Sequence, residues 1–175
     1  MEINQNIHER KNIGMDLKSY IKDVPNHPKE GILFKDIQPL LGDPHAFKTA
    51  TVNMKQLSNF VGVDYWVGIE SRGFIFASAI AEHSYSGFKM IRKAGKLPPN
   101  NTVSIEYGLE YGRDTIEMEK GSGKVIIVDD VYATGGTMTA AKLICELAGY
   151  EVIDTLCLVD IGLVKNHDTK CLISY

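Results

Sequence analysis

One run, Val125-Ile126-Ile127-Val128-Asp129-Asp130-Val131-Tyr132-Ala133-Thr134-Gly135-Gly136-Thr137, limits what this chain can fold into more than any other part of it. Its opening branched aliphatics mark a strand buried on both faces, as in the interior of a parallel sheet. Two adjacent carboxylates follow at the strand's carboxyl end, where ligands bind in open α/β sheets. Ala133, Gly135 and Gly136 then leave backbone amides uncovered, and Thr134 and Thr137 add hydroxyl donors. A helix opening there contributes further free amides and a partial positive charge, which makes a cradle for a phosphate group. Asp129 and Asp130 would repel a phosphate, so their partner is something else: sugar hydroxyls or a divalent cation. A phosphate beside a diol describes a ribose 5-phosphate. Neither Gly95-Lys96 nor Gly123-Lys124 is followed by Ser or Thr, so there is no P-loop, and no GxGxxG follows a strand. Taken without its neighbours, a Gly-Gly turn with solvated acids remains an alternative.

The rest of the chain supplies an α/β frame. Leu17, Tyr20, Ile21 and Val24 are spaced as the apolar stripe of a short helix, ended by Pro25 and Pro28. Residues 31–37 read as extended. Asp43-Pro44 predicts a helix start, with the acid as cap and the proline in the first turn, continued by Phe47, Ala50, Met54 and Leu57. Strands are expected over 65–69, 87–91, 124–128 and 151–159, and helices over 74–85 and 137–148, the second stopped by Gly149. Residues 102–119 alternate and contain Tyr107-Gly108 and Tyr111-Gly112, the pattern of a long hairpin or lid. Apolar strands alternating with helices predict an open, mostly parallel α/β sheet flanked by helices. The polar residues 1–14 read as a flexible tail, and residues 15–175 as a single domain.

Three further segments carry chemistry. Glu70-Ser71-Arg72-Gly73 follows a strand, and an Arg in a tight loop there suits bidentate capture of a phosphate. Arg92-Lys93-Ala94-Gly95-Lys96-Leu97-Pro98 places three cations in five residues without an acid, a partner for a polyanion. In Leu109-Glu110-Tyr111-Gly112 the Glu is flanked by apolar side chains. Burial under a closing lid would raise its pKa towards the range useful for proton transfer. Each segment by itself also fits a solvated surface; spacing and composition reach only a phosphate and ribose site in an α/β domain.

The full set is more specific. The Asp129 to Thr137 run closely resembles the phosphoribosyl diphosphate signature of the type I phosphoribosyltransferases. Together with Gly31-Ile32-Leu33-Phe34-Lys35-Asp36-Ile37 and the three segments above, it follows the order seen in the adenine-specific branch, from about residue 15 onward. The resemblance implies the type I fold, with a hairpin lid and a small N-terminal hood. It implies transfer of ribose 5-phosphate from phosphoribosyl diphosphate to adenine, giving AMP and pyrophosphate in purine salvage. Asp129 and Asp130 would then bind the ribose hydroxyls, and Ala133, Thr134, Gly135, Gly136 and Thr137 the 5-phosphate. Arg72, Lys93 and Lys96 would hold pyrophosphate, Arg72 also counting as catalytic, and Arg92 would reach the pyrophosphate of a neighbouring subunit in a homodimer. Glu110 would be the acid/base at the purine's five-membered ring. Adenine would lie between Phe34 and Ile161, its amidine edge on backbone groups of Leu33 and Lys35. A carbonyl facing the exocyclic amine favours adenine over a 6-oxo purine, which would leave buried polar groups unpaired. Mg²⁺ would sit mainly on substrate oxygens and water, with Asp129 and Asp130 indirect. The resemblance also implies a cis peptide between Glu70 and Ser71.

Departures and siblings sharpen this. Hypoxanthine-guanine enzymes carry Glu-Asp at the carboxylate pair, an acid where this chain has Ala133, and Lys where it has Gly136. Tyr132 stands where many relatives have an aliphatic residue, either narrowing the ribose pocket or packing. A phosphoribosyltransferase for another purine, or a phosphoribosyl diphosphate-sensing regulator on the same fold, are the alternatives. Nineteen Lys and Arg against twenty-two Asp and Glu give a net charge of -3, which excludes a globally basic nucleic-acid binder. No apolar run is long enough to span a bilayer, and the N-terminus lacks the pattern of a signal peptide. Cys145, Cys157 and Cys171 form no CxxC pair and read as buried thiols in a reducing cytoplasm.

Overall fold

A computed structural model describes residues 14–109 and 112–175. The expected tail, apart from Gly14, and the candidate acid/base Glu110 lie outside the described residues. The chain divides into two compact units, one ending at Phe47 and one from Lys48 to Tyr175.

In the first unit, a short 3₁₀ helix (Leu17–Tyr20) precedes strand β1 (Lys22–Pro25), which pairs antiparallel with β2 (Leu33–Asp36). The helix expected over residues 17–24 is therefore corrected. Leu17 and Ile21 are buried, but Val24 is exposed and sits opposite Phe34 in the ladder. Val24 is β-branched and Pro25 ends β1, so this stretch suits a short edge strand better than a helix interior. The Lys35 side chain is buried, and its ammonium meets Asp23 at 2.7 Å. Helix α1 (Gln38–Gly42) carries Pro39 in its first turn, where a missing amide costs nothing. Helix α2 (Pro44–Ser58) begins as expected: Asp43 Oδ1 accepts from the amides of His45 (2.9 Å) and Ala46 (2.8 Å). Its buried stripe runs Ala46, Ala50, Met54, while Phe47 and Leu57 are half-buried.

The second unit is built on a seven-stranded sheet in the order β5-β6-β4-β3-β7-β8-β9. Its strands are β3 (Tyr65–Ile69), β4 (Gly87–Lys93), β5 (Thr102–Leu109), β6 (Gly112–Glu119), β7 (Gly123–Tyr132), β8 (Tyr150–Asp160) and β9 (Lys170–Ser174). From β4 to β9 all neighbours are parallel, and the β5–β6 hairpin adds antiparallel at the β4 edge. The sheet is thus mostly parallel, as the sequence predicts. Successive side chains of a strand point to opposite faces. Val125 and Ile127, and equally Ile126 and Val128, are fully buried, so both faces of β7 are covered. Helices α3 (Gly73–Ser84) and α4 (Gly136–Leu147) supply that cover. Gly149, at φ +100°, stops α4 in the left-handed region that favours glycine.

Two boundaries move, and both matter. β7 continues past Val128 through both carboxylates, because β8 goes on pairing with it as far as Tyr132 opposite Asp160. β4 runs two residues beyond Ile91, placing Arg92 and Lys93 on the ladder opposite Glu117 and Ile116. β9 was not anticipated; it pairs with β8 through Cys171 and Ile173.

Candidate active site

A cleft of about 660 Å³ lies along the carboxyl edge of the sheet. The β3–α3 loop contributes Glu70, Ser71 and Arg72, the end of β4 Lys93 and Lys96, the hairpin Tyr107 and Asp114, and β7 with α4 Asp129, Asp130 and Thr137. Of the residues singled out from sequence, Arg72, Lys93, Lys96, Asp129, Asp130 and Thr137 are brought together here.

Asp130 is a buried acid, and half-buried Asp129 stands beside it. Burial, and then the charge of Asp130, push Asp129 well above the usual carboxylate range. Burial raises Asp130 as well, opposed by Arg72, whose Nε lies 2.9 Å from Asp130 Oδ2. Such a pair gains from any ligand that offers hydroxyl donors or positive charge. Among the described residues no group of three or more His, Cys, Asp or Glu could hold a metal ion. Two adjacent carboxylates, one of them engaged by Arg72, suit a cation that takes most of its ligands from a substrate and water.

Beside the cleft a small cavity of about 60 Å³ is lined by Ala133, Thr134, Gly135 and Thr137, with Tyr132 among its walls. Gly135 sits at φ +83° just before α4, and among the described residues no side chain caps that helix. The first amides of a helix have no carbonyl behind them, so they are available to an anion. Gly136 opens α4. On the hairpin side, burial raises the Tyr107 phenol, and a hydrogen bond with Thr137 works against that rise.

The cation turn is fixed from beneath. Glu117 on β6 accepts from the amides of Gly95 (2.9 Å) and Leu97 (3.4 Å), and Ala94 N–H donates to Thr115 O at 3.0 Å. Lys93 Nζ lies 3.4 Å from Asp114. Glu70, given no role of its own by the sequence, gathers the cluster: it accepts from Lys96 Nζ (2.5 Å), Lys93 N–H (2.8 Å) and Arg92 Nε (3.2 Å). Arg92 is held there, with its guanidinium 5.8 Å from the Phe74 ring, and does not line the cleft. The Glu70–Ser71 peptide is cis, in agreement with the resemblance.

Burial works against the Glu70 charge, but its bonds to Lys96, Lys93 and Arg92 outweigh it and hold the carboxyl at about 2, against an ordinary 4.5. A carboxyl lowered on folding stabilises the fold above its unfolded value, and that contribution fades as pH falls through the folded one. Lys96 is nearly half exposed, so solvent screening leaves this charge with about 1 kcal/mol at neutral pH. Glu70→Gln is expected to lower Tm clearly at pH 7. The gap to wild type should narrow as pH falls below 4.5 and close near 2, as a series of thermal melts would read directly. A gap independent of pH would mean that packing, not charge, ties Glu70 to the cations.

Leu33, Phe34 and Lys35 lie on β2 in the first unit, and Ile161 follows β8 in the second. The Ile161 amide donates to Tyr132 O at 3.2 Å.

Residues 50–173 match the Phosphoribosyl transferase domain family. The adenine phosphoribosyltransferase of Hydrogenovibrio crunogenus is 54% identical over 159 residues, which span 87% of this chain and 90% of that one. The crystal structure of the adenine phosphoribosyltransferase of Rhodothermus marinus superposes with a TM-score of 0.82 at 39% identity, covering 91% of this chain and 96% of its own. The enzyme of Saccharomyces cerevisiae, complexed with an imino-altritol bisphosphate and adenine, gives a TM-score of 0.80 at 33% identity, covering 89% and 96%. The likeness runs through the same β3–α3, β4 and β7–α4 segments that build the cleft, and on it the chain belongs to the adenine phosphoribosyltransferase family of pentosyl-transferring enzymes.

Proposed function

We propose that this chain transfers ribose 5-phosphate from phosphoribosyl diphosphate to adenine, releasing pyrophosphate and forming AMP. One observation carries the reading. The cleft and the small cavity beside it, which share Asp129, Val131 and Thr137, bring an uncapped helix start, a carboxylate pair and a cluster of cations together, matching the phosphate, diol and pyrophosphate of that substrate. In this reading residues 133–137 take the 5-phosphate, Asp129 and Asp130 the ribose hydroxyls, and Arg72, Lys93 and Lys96 the pyrophosphate. A purine ring nitrogen forms the new bond to the ribose carbon as the bond to pyrophosphate breaks. Magnesium, when bound, neutralises charge on the leaving group, with Asp129 and Asp130 reaching it indirectly.

The carbocation-like ribose must be kept from water, and the β5–β6 hairpin is the lid that would do so. Glu110, which follows Leu109 in the sequence, is the proposed acid/base. Leu33, Phe34, Lys35 and Ile161 are the base-recognition residues; the Lys35 ammonium is engaged by Asp23, so its contribution falls to the backbone. The enzyme is proposed to act as a homodimer, Arg92 serving the neighbouring subunit's pyrophosphate, with exposed Tyr85 and Met90 as apolar surface for the contact. The three cysteines are free, which suits the cytoplasm; among the described residues no helix is long and apolar enough to cross a membrane.

Glu110→Gln tests the chemical step. Turnover with adenine should fall about 100-fold while KM for phosphoribosyl diphosphate stays within about twofold, since general acid/base catalysis is worth two to four orders of magnitude. Steady-state kinetics in which the variant matches wild type would remove Glu110 from the mechanism.

A further inference from the structure

The cradle for the 5-phosphate is made of the residues least able to hold a shape. Gly135 and Gly136 are conformationally free, and among the described residues no side chain caps α4. A binding loop left to move must be ordered each time ligand arrives, and that lowers affinity. Stiffness therefore has to come from beneath, and Tyr132 is there. It ends β7 with 8% of its surface exposed, and its hydroxyl lies so close to Gly135 that a Cβ at that position would collide with it. Behind the phenol, the His167 ring stacks at 4.0 Å between centroids with an interplanar angle of 28°. His167 Nε2 is 3.2 Å from Asp160 Oδ2, and both side chains are largely buried. Asp160 Oδ1 in turn accepts the Gly162 amide at 2.8 Å. Among the described residues the buried His167 Nδ1 has no hydrogen-bond partner, so the stack and Asp160 are what fix the ring.

We propose that Tyr132, backed by His167 and Asp160, is a positioning residue that holds the phosphate-binding loop in its binding shape. The inference rests on the reading that residues 133–137 bind the 5-phosphate. The amide bonds of Ile161 to Tyr132 O and of Gly162 to Asp160 do not use the imidazole, so the strand end they hold is kept when His167 is truncated. Damage to the stack should thus appear in phosphate affinity and not in use of the base.

The test is kinetic and calorimetric, on the full-length enzyme. His167→Ala and Tyr132→Leu are expected to raise KM for phosphoribosyl diphosphate, and Kd for ribose 5-phosphate, about tenfold, with kcat and KM for adenine within about twofold. Tyr132→Phe keeps the stacked ring but loses the hydroxyl that lies against Gly135, so both constants should fall between wild type and Tyr132→Leu. A Tyr132 that only fills the core would lower Tm in Tyr132→Leu and leave both constants alone, which overturns the proposal; so would a Phe variant as weak as the Leu one. Should Tyr132→Leu fail to fold, His167→Ala and Tyr132→Phe give the same decision. Thr134→Val, measured alongside, separates the two layers. If it leaves ribose 5-phosphate binding intact, the loop is not the phosphate site and the inference falls with that reading; if it weakens binding while His167→Ala does not, the inference falls alone.

Discussion

Arg72→Ala is expected to cut kcat/KM for phosphoribosyl diphosphate by about three orders of magnitude, through the loss of charge-assisted hydrogen bonds worth roughly 4 kcal/mol together. Two effects converge on this side chain. Arg72 stands in the cleft with over a third of its surface open, so its guanidinium can meet a pyrophosphate. It also lies 2.9 Å from the carboxylate of buried Asp130, and removing it strips a cation from an acid that burial already disfavours. Arg72 is itself over a third exposed, so solvent screening holds the cost of removing it to about 1 kcal/mol, and Tm should drop modestly with activity. Arg72→Lys separates the two. It restores charge beside Asp130 and most of the Tm, but a single ammonium does not reproduce a planar fork, so activity should stay well below wild type. Melts with and without phosphoribosyl diphosphate, beside initial rates, read both quantities. A variant with unchanged KM would show that Arg72 is an internal counterion and not a pyrophosphate ligand.

Gly73→Ala should be nearly as damaging although it adds one methyl group. A Cβ at Gly73 would lie 2.6 Å from the carbonyl oxygen of Val128 and 3.1 Å from Asp129 Oδ1. The first of these is backbone in the centre of the sheet and cannot turn aside. α3 must therefore back away from β7, at a cost of about 2 kcal/mol for an overpacked contact. The shift is centred on Asp129, and misplacing a reacting group by about an ångström costs about 100-fold in rate. Gly42→Ala is the matched control: a Cβ there meets nothing within 4 Å, and stability and rate should both hold. If Gly73→Ala folds and turns over like wild type, the close seating of α3 on β7 does not set the carboxylate geometry.

What the sequence disclosed, and what it withheld, follows from how far apart the interacting residues are. β3, β7, α4 and the Asp43 cap are written locally, in β-branched runs and in an acid just before a proline, and were readable. The stretch Lys22–Pro25 was not, because its apolar residues satisfy a helical spacing and only pairing with β2 makes it a strand. β7 reaches Tyr132 because β8 continues beside it, which no local pattern announces. At the site, the Asp129 to Thr137 run carried its meaning in contiguous residues. Glu70 did not: its partners Lys93 and Lys96 are more than twenty residues away, and only the parallel pairing of β3 with β4 brings them together. An acid two residues ahead of Arg72, in a chain with a separate acid-free cation cluster, is the available signal. Tyr107 and Asp114 were missed for a similar reason. They face each other across the β5–β6 hairpin, so their shared place in the cleft depends on a register that the alternation alone leaves open.

The most direct test of the central claim is the rate of nucleotide formation from phosphoribosyl diphosphate and magnesium with adenine, measured in parallel with hypoxanthine, guanine and xanthine. The account predicts AMP and pyrophosphate in equal amounts with adenine and at least about a hundredfold lower kcat/KM with each 6-oxo purine, whose exchanged donor and acceptor leave buried polar groups unpaired. Comparable turnover with a 6-oxo purine would keep the ribose phosphate site and contradict the base assignment. Binding of phosphoribosyl diphosphate without turnover of any base would contradict the enzyme itself and point to a sensor on the same fold.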